Sequence, residues 1–100
     1  MELEEGYTSR GFKIIHFQDL YGSRCSIQKS SLATDDAIWF GVDDADPKIM
    51  ASKVQENGVG WVKYPIPEDV LLATRMHLTR EQAKQLLPIL QEFVETGELF

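Results

Sequence analysis

One cysteine, Cys25, stands alone among the 100 residues, so no disulfide within the chain can staple the fold. A lone thiol also fits a reducing compartment better than a secreted one. With only His16 and His77 beside it, no CxxC or HExxH spacing exists, and the metal-ligand patterns are excluded. The GxSxG, P-loop and GxGxxG strings are missing as well. Asp43-Asp44-Ala45-Asp46 lacks the glycine and distal glutamate of a calcium loop and reads as a solvated turn. No stretch approaches the ~20 apolar residues that span a bilayer. The acidic opening Met1-Glu2-Leu3-Glu4-Glu5 has neither region of a signal peptide. These absences predict a non-enzymatic cytoplasmic protein with no membrane contact, no cofactor, no metal ion and no catalytic residues.

Positive charge is also scarce. Ten Lys and Arg face sixteen Asp and Glu, a net charge of −6, which argues against a generic grip on duplex nucleic acid. The shortage is uneven. Arg10, Lys13, Arg24 and Lys29 face only Asp19 between residues 10 and 34, a net +3. Five aspartates and no cation follow between residues 35 and 46. Between residues 61 and 84 the balance returns to +1. A small local anion site fits that map, whereas a long nucleic-acid groove does not.

The apolar fraction, 43%, is that of one globular domain. A chain this short buries only about two-thirds of its unfolded surface, so self-assembly is a natural source of further burial. Residues 1–10 read as a flexible tail and residues 11–100 as a single domain. Gly11–Phe17 and Arg24–Gln28 read as a hairpin around Gly22, with Cys25 and Ile27 on one face and Arg24, Ser26 and Gln28 on the other. Cys25 thereby takes a core-facing position, which sets it against a nucleophile's role. Ala37–Val42 is a buried-strand pattern, and Val59–Tyr64 is a strand after the Asn57-Gly58 turn.

The C-terminal helix is marked at both ends. Thr79 and Gln82 have capping-box spacing, and Gly97 sits where a C-terminal cap belongs. Between them Ala83, Leu86, Leu87, Leu90, Phe93 and Val94 recur on one helical face, with Ile89 off it and Pro88 expected to bend the helix. The fold class is therefore α+β: a small, mainly antiparallel sheet with one long C-terminal amphipathic helix packed on or beside it.

Arg75-Met76-His77-Leu78-Thr79-Arg80 runs into that helix, and this cationic segment at a helix mouth is the foremost candidate site. Guanidinium forks, an imidazole and the free first-turn amides suit capture of a phosphate or nucleotide. The plainer reading is a set of arginines solvated or paired with the surplus acids. Arg24, just after a glycine turn, is a second candidate, its plain alternative being an edge charge that discourages aggregation. Trp61 is the most open of the aromatics able to stack on a base, whereas Trp39 and Phe40 read as core.

Several strings resemble one family. Asp19-Leu20-Tyr21-Gly22 with Cys25-Ser26-Ile27-Gln28, then Ser30-Ser31-Leu32-Ala33, Ala37-Ile38-Trp39 and Arg75-Met76-His77-Leu78-Thr79-Arg80-Glu81-Gln82 are similar to small phage and prophage proteins of the first-described Thoeris anti-defence family. The resemblance covers residues 12–99 almost throughout. It implies an α+β sponge that sequesters the cyclic ADP-ribose isomers made by bacterial TIR-domain enzymes, in some members also cyclic oligonucleotides of the CBASS pathway, and that assembles as a dimer or hexamer. Carried onto this chain, it implies Arg24 and His77 for a cyclic oligonucleotide, and Arg75, Met76 and Arg80 as further ligand-binding residues. The rival expectation is an acidic module that inhibits a host protein through an exposed Asp35–Asp46 segment.

Overall fold

The computed structural model describes residues 2–100. In chain order the elements are β1 (Glu4–Tyr7), β2 (Lys13–Gln18), β3 (Arg24–Lys29), β4 (Ala37–Val42), β5 (Lys48–Met50), β6 (Trp61–Lys63), β7 (Arg75–Thr79) and α1 (Arg80–Thr96). Five of the strands form one antiparallel sheet in the order β1-β2-β3-β4-β7, which with α1 bears out the α+β expectation. The described residues divide into two compact units, residues 2–43 with 75–100 and residues 44–74.

In the first unit, β2 and β3 form the expected hairpin. Its turn is held by Asp19, whose carboxylate accepts from the N–H groups of Tyr21 at 3.0 Å and Ser23 at 2.9 Å. Two elements lie where the sequence pattern shows none. Glu4–Tyr7, inside the expected tail, pairs with β2 in the register Glu4↔His16 to Tyr7↔Lys13. Arg75–Thr79, expected as a polar lead-in to the helix, is instead the fifth strand, paired with β4 from Gly41↔Arg75 to Ala37↔Thr79. Neither stretch is long or apolar enough to announce a strand, and both are held by ladder hydrogen bonds to a neighbour distant in sequence.

Alternation sorts the sheet into two faces. One is apolar, with Ile15, Phe17, Cys25, Ile27, Ile38, Phe40 and Leu78; there Phe17 meets Phe40 edge-on at 6.4 Å between ring centroids. The other is polar and carries Arg24, Ser26, Gln28, Trp39, Arg75 and His77.

The helix matches its sequence signals residue by residue. Thr79 Oγ1 accepts from the Gln82 N–H at 3.1 Å, Gln82 Oε1 accepts from the Thr79 N–H at 2.9 Å, and the Gly97 N–H donates to Phe93 O at 2.8 Å. The 17-residue helix continues through Pro88. Its packing departs from expectation: no residue of α1 is buried, and its main contact with the sheet is through β7 at its own start. No helix among the described residues is long and apolar enough to cross a membrane.

In the second unit, β5 and β6 form a two-stranded antiparallel ladder, followed and preceded by a short 3-10 turn at Ala51–Lys53 and the Asn57-Gly58 turn. Gly58 lies against Ala51 so closely that a Cβ would come within 2.6 Å of the Ala51 carbonyl oxygen. Only glycine fits there without a shift of the backbone.

Candidate functional site

The polar face of the sheet is built from two adjacent rows of the strand register. One row crosses His16, Ser26, Gly41 and Arg75; the next crosses Ile14, Gln28, Trp39 and His77. Three of the predicted residues, Arg24, Arg75 and His77, thus share one face because β3 and β7 flank β4 in compatible register. Met76 alternates to the opposite face, and Arg80 lies beyond the sheet in the first turn of α1. Trp61 sits on β6 in the second unit, 66% exposed.

Gly41 decides how this face is wired. It occupies the position between Ser26 and Arg75, with φ of 149°, a backbone state that favours glycine. With no side chain in the way, Arg75 reaches across β4 to β3. Its Nη1 donates to Gln28 Oε1 at 2.8 Å and lies 3.5 Å from Ser26 Oγ. The guanidinium carbon stands 5.7 Å from the centroid of the Trp39 ring, within cation–π range.

His77 lies parallel to Trp39, with ring centroids 3.8 Å apart and planes 5° from parallel. Its Nε2 is 2.8 Å from Ser30 Oγ, and Ser30, 6% exposed, also accepts from the Leu32 N–H at 3.1 Å. That anchor uses one ring nitrogen, in either tautomer. His77 itself is exposed and Trp39 half-buried, so the stacked pair is anchored at one imidazole nitrogen and reachable from solvent.

A second polar chain ties in Arg24. The fully buried Ser26 hydroxyl donates to Asp43, whose other oxygen lies 3.4 Å from Arg24 Nε and 3.5 Å from His16 Nδ1. The His16 nitrogen is buried and makes no hydrogen bond at that separation. Asp43 offsets one of the two guanidinium charges, which leaves the Arg75 side of the face the more cationic. Arg24 also borders a groove of about 620 Å³ whose wall carries Glu2, Glu4 and Asp19, a poor setting for a phosphate.

The helix mouth differs from its expected role. The Thr79 and Gln82 amides are taken by the reciprocal cap, and the Arg80 N–H donates to Asp36 O at 2.9 Å. Arg80 Nη1 faces Asp36 Oδ2 at 3.5 Å, and Asp35, Asp36 and Glu81 line the hollow of about 640 Å³ beside it. An anion there meets three carboxylates beside Arg80 and Lys84, with the Thr79, Arg80 and Gln82 amides already engaged. The cationic segment therefore offers its chemistry from the strand residues Arg75 and His77, not from the first turn of the helix.

Sequence reasoning misses Ser26, Gln28, Ser30, Asp43 and the outward placement of Trp39. The period-two run Arg24-Ser26-Gln28-Ser30 is the signal that could have found the first three, since a central strand with one wholly polar face is uncommon in a small domain. Cys25, on the reverse of that strand, is 4% exposed, and its Sγ donates to Ser23 O at 3.4 Å. Burial, reinforced by the carboxylates of Asp19 and Asp43, pushes its thiol above the ordinary range. Among the described residues no group of three or more His, Cys, Asp or Glu is placed to hold a metal ion. Compared with protein-family models, curated proteins and solved structures, the chain has no match.

Proposed function

We propose that the Arg75–His77–Trp39 face captures an anionic, base-bearing ligand and holds it without cleaving it. The ligand class is that of cyclic nucleotide immune signals, cyclic ADP-ribose isomers and possible further cyclic oligonucleotides, and the setting is a phage or prophage protein in the host bacterial cytoplasm. The observation that carries this reading is the His77–Trp39 stack with the Arg75 guanidinium beside it, each anchored by a neighbouring polar side chain. A base can stack against such a pair, at about 1–3 kcal/mol per base. A phosphate can take the guanidinium donors that Gln28 and Ser26 leave open, at about 1.5–3 kcal/mol per charge-assisted hydrogen bond. The resemblance of the sequence strings to the anti-defence family is what supports the ligand class; the stacked pair and the adjoining guanidinium are what support the face.

The acidic-module reading asks for an exposed Asp35–Asp46 segment and unimportant arginines. Asp35, Asp36, Asp44 and Asp46 are exposed, whereas Arg24 is engaged by Asp43, Arg80 by Asp36 and Arg75 by Gln28, which favours the capture reading.

The test is retention. The purified chain is incubated with cyclic ADP-ribose isomers and cyclic oligonucleotides, washed, heat-denatured, and the released ligand identified by mass spectrometry. Intact ligand in stoichiometric amount is the expected result. Chemically altered ligand makes the protein an enzyme, and retention of none of the panel removes the reading.

A further inference from the structure

The apolar face of the five-stranded sheet ends where α1 begins. Lys29, Ile38 and Leu78 form one row across β3, β4 and β7 on that face. The helix leaves the sheet at its own start, and Ala83 is its apolar residue beside this row. Between them lies a hollow of about 360 Å³, walled by Ala37, Ile38, Leu78 and Ala83. That volume lies within the range of small-molecule sites.

Three charged side chains border the hollow: Lys29, Arg80 and Asp36. Each Asp36 oxygen faces one cation, Lys29 Nζ at 3.4 Å and Arg80 Nη1 at 3.5 Å. Both separations exceed the roughly 2.7–2.9 Å of a tight charge-assisted hydrogen bond. Most donors of the ammonium and the guanidinium therefore stay open. Two cations against one carboxylate leave this border positive. The neighbouring hollow shares Arg80 and Asp36 but adds Asp35 and Glu81 against Lys84 alone, which leaves it negative.

We infer that the apolar hollow binds a small amphipathic monoanion, an apolar body with one carboxylate head. The body lies against Ile38, Leu78 and Ala83 and leaves water there. The head takes the Lys29 and Arg80 donors that Asp36 leaves open, and it brings the border to neutrality. An uncharged amphiphile of equal length lacks those head contacts, and a cationic one meets two like charges. Ile38 and Leu78 alternate to the side of the sheet opposite Trp39 and His77, so this site is separate from the polar face.

Isothermal titration of the full chain with octanoate, octanol and octylammonium tests this. No nucleotide is involved, so the outcome is independent of the ligand reading. Octanoate is expected to bind saturably, octanol at least tenfold more weakly, and octylammonium not measurably. Lys29→Gln with Arg80→Gln is expected to weaken octanoate at least tenfold and to leave octanol unchanged. Ala83→Leu fills the hollow with a good helix former and is expected to weaken octanoate at least tenfold with unchanged helix circular dichroism. Adsorption on the exposed Leu87 and Leu90 side chains predicts the reverse, because Ala83→Leu enlarges that apolar stripe. Absence of saturable octanoate binding overturns the inference. So does equal affinity for the three probes, or undiminished octanoate binding in either variant.

Discussion

The ring of His77 rests parallel on the indole of Trp39 at 3.8 Å, a pairing of β7 with β4 that sets the character of the polar face. It converts two residues 38 positions apart in the sequence into one aromatic platform.

If that platform receives a base, His77→Ala and Arg75→Ala each weaken ligand binding tenfold or more, about 1.4 kcal/mol. Isothermal titration with the retained nucleotide measures it. Unchanged affinity in both variants would place the ligand elsewhere. Removing the stacked imidazole also alters Trp39 emission, which Trp61→Phe isolates from the other indole.

Arg80 and Met76 follow the opposite course. Arg80 is engaged by Asp36 at the helix mouth, and Met76 points to the other face of the sheet. Arg80→Ala and Met76→Ala therefore leave affinity within about twofold, well under the ~1.4 kcal/mol of a tenfold loss. A tenfold loss with Arg80→Ala would return the anion site to the helix N-terminus.

Gly41→Val tests the wiring of the face. The substitution forces a β-branched residue into a φ of 149° and sets a side chain in the path of Arg75 toward Gln28. Backbone strain alone costs about 1–3 kcal/mol. Urea denaturation is expected to show a loss of that size, and binding to fall as it does in Arg75→Ala. Wild-type stability and affinity would mean that Arg75 needs no passage across β4.

Cys25 gives a pH dependence with a definite sign. Its thiol is raised by burial and by Asp19 and Asp43, so the folded chain keeps the proton to higher pH than the unfolded chain, which titrates near about 8.5. The stabilisation is complete below about 8.5 and is lost as pH rises toward the folded value, because there the folded state binds more protons. Denaturation midpoints across about pH 7 to 10 are expected to fall at the alkaline end, and Cys25→Ala to flatten that part of the fall. A thiol that reacts rapidly with a disulfide reagent in the native protein at neutral pH would contradict this environment.

The legible parts of this protein are those whose signal is local. The capping pair Thr79 and Gln82, the terminal Gly97 and the 3.6-residue apolar period announce α1 within one residue, since all are set by contacts inside the helix itself. The β2–β3 hairpin is equally plain, because Asp19 and Gly22 build its turn from neighbouring residues. The candidate residues Arg24, Arg75 and His77 stand out by type, while Trp61, chosen for its openness, falls in the other unit.

The sequence by itself determined the strands of the central hairpin, the capped helix, the acidic balance and the lack of a metal or nucleophile motif. Only the tertiary structure decided that residues 75–79 are a strand, that Gly41 lets Arg75 reach Gln28, that His77 lies on Trp39, and that Asp36 answers Arg80. The physical reason is the register of β4 between β3 and β7. Ladder pairing is fixed by hydrogen bonds between distant segments, and a one-residue slip would turn Arg75 and His77 to the opposite face.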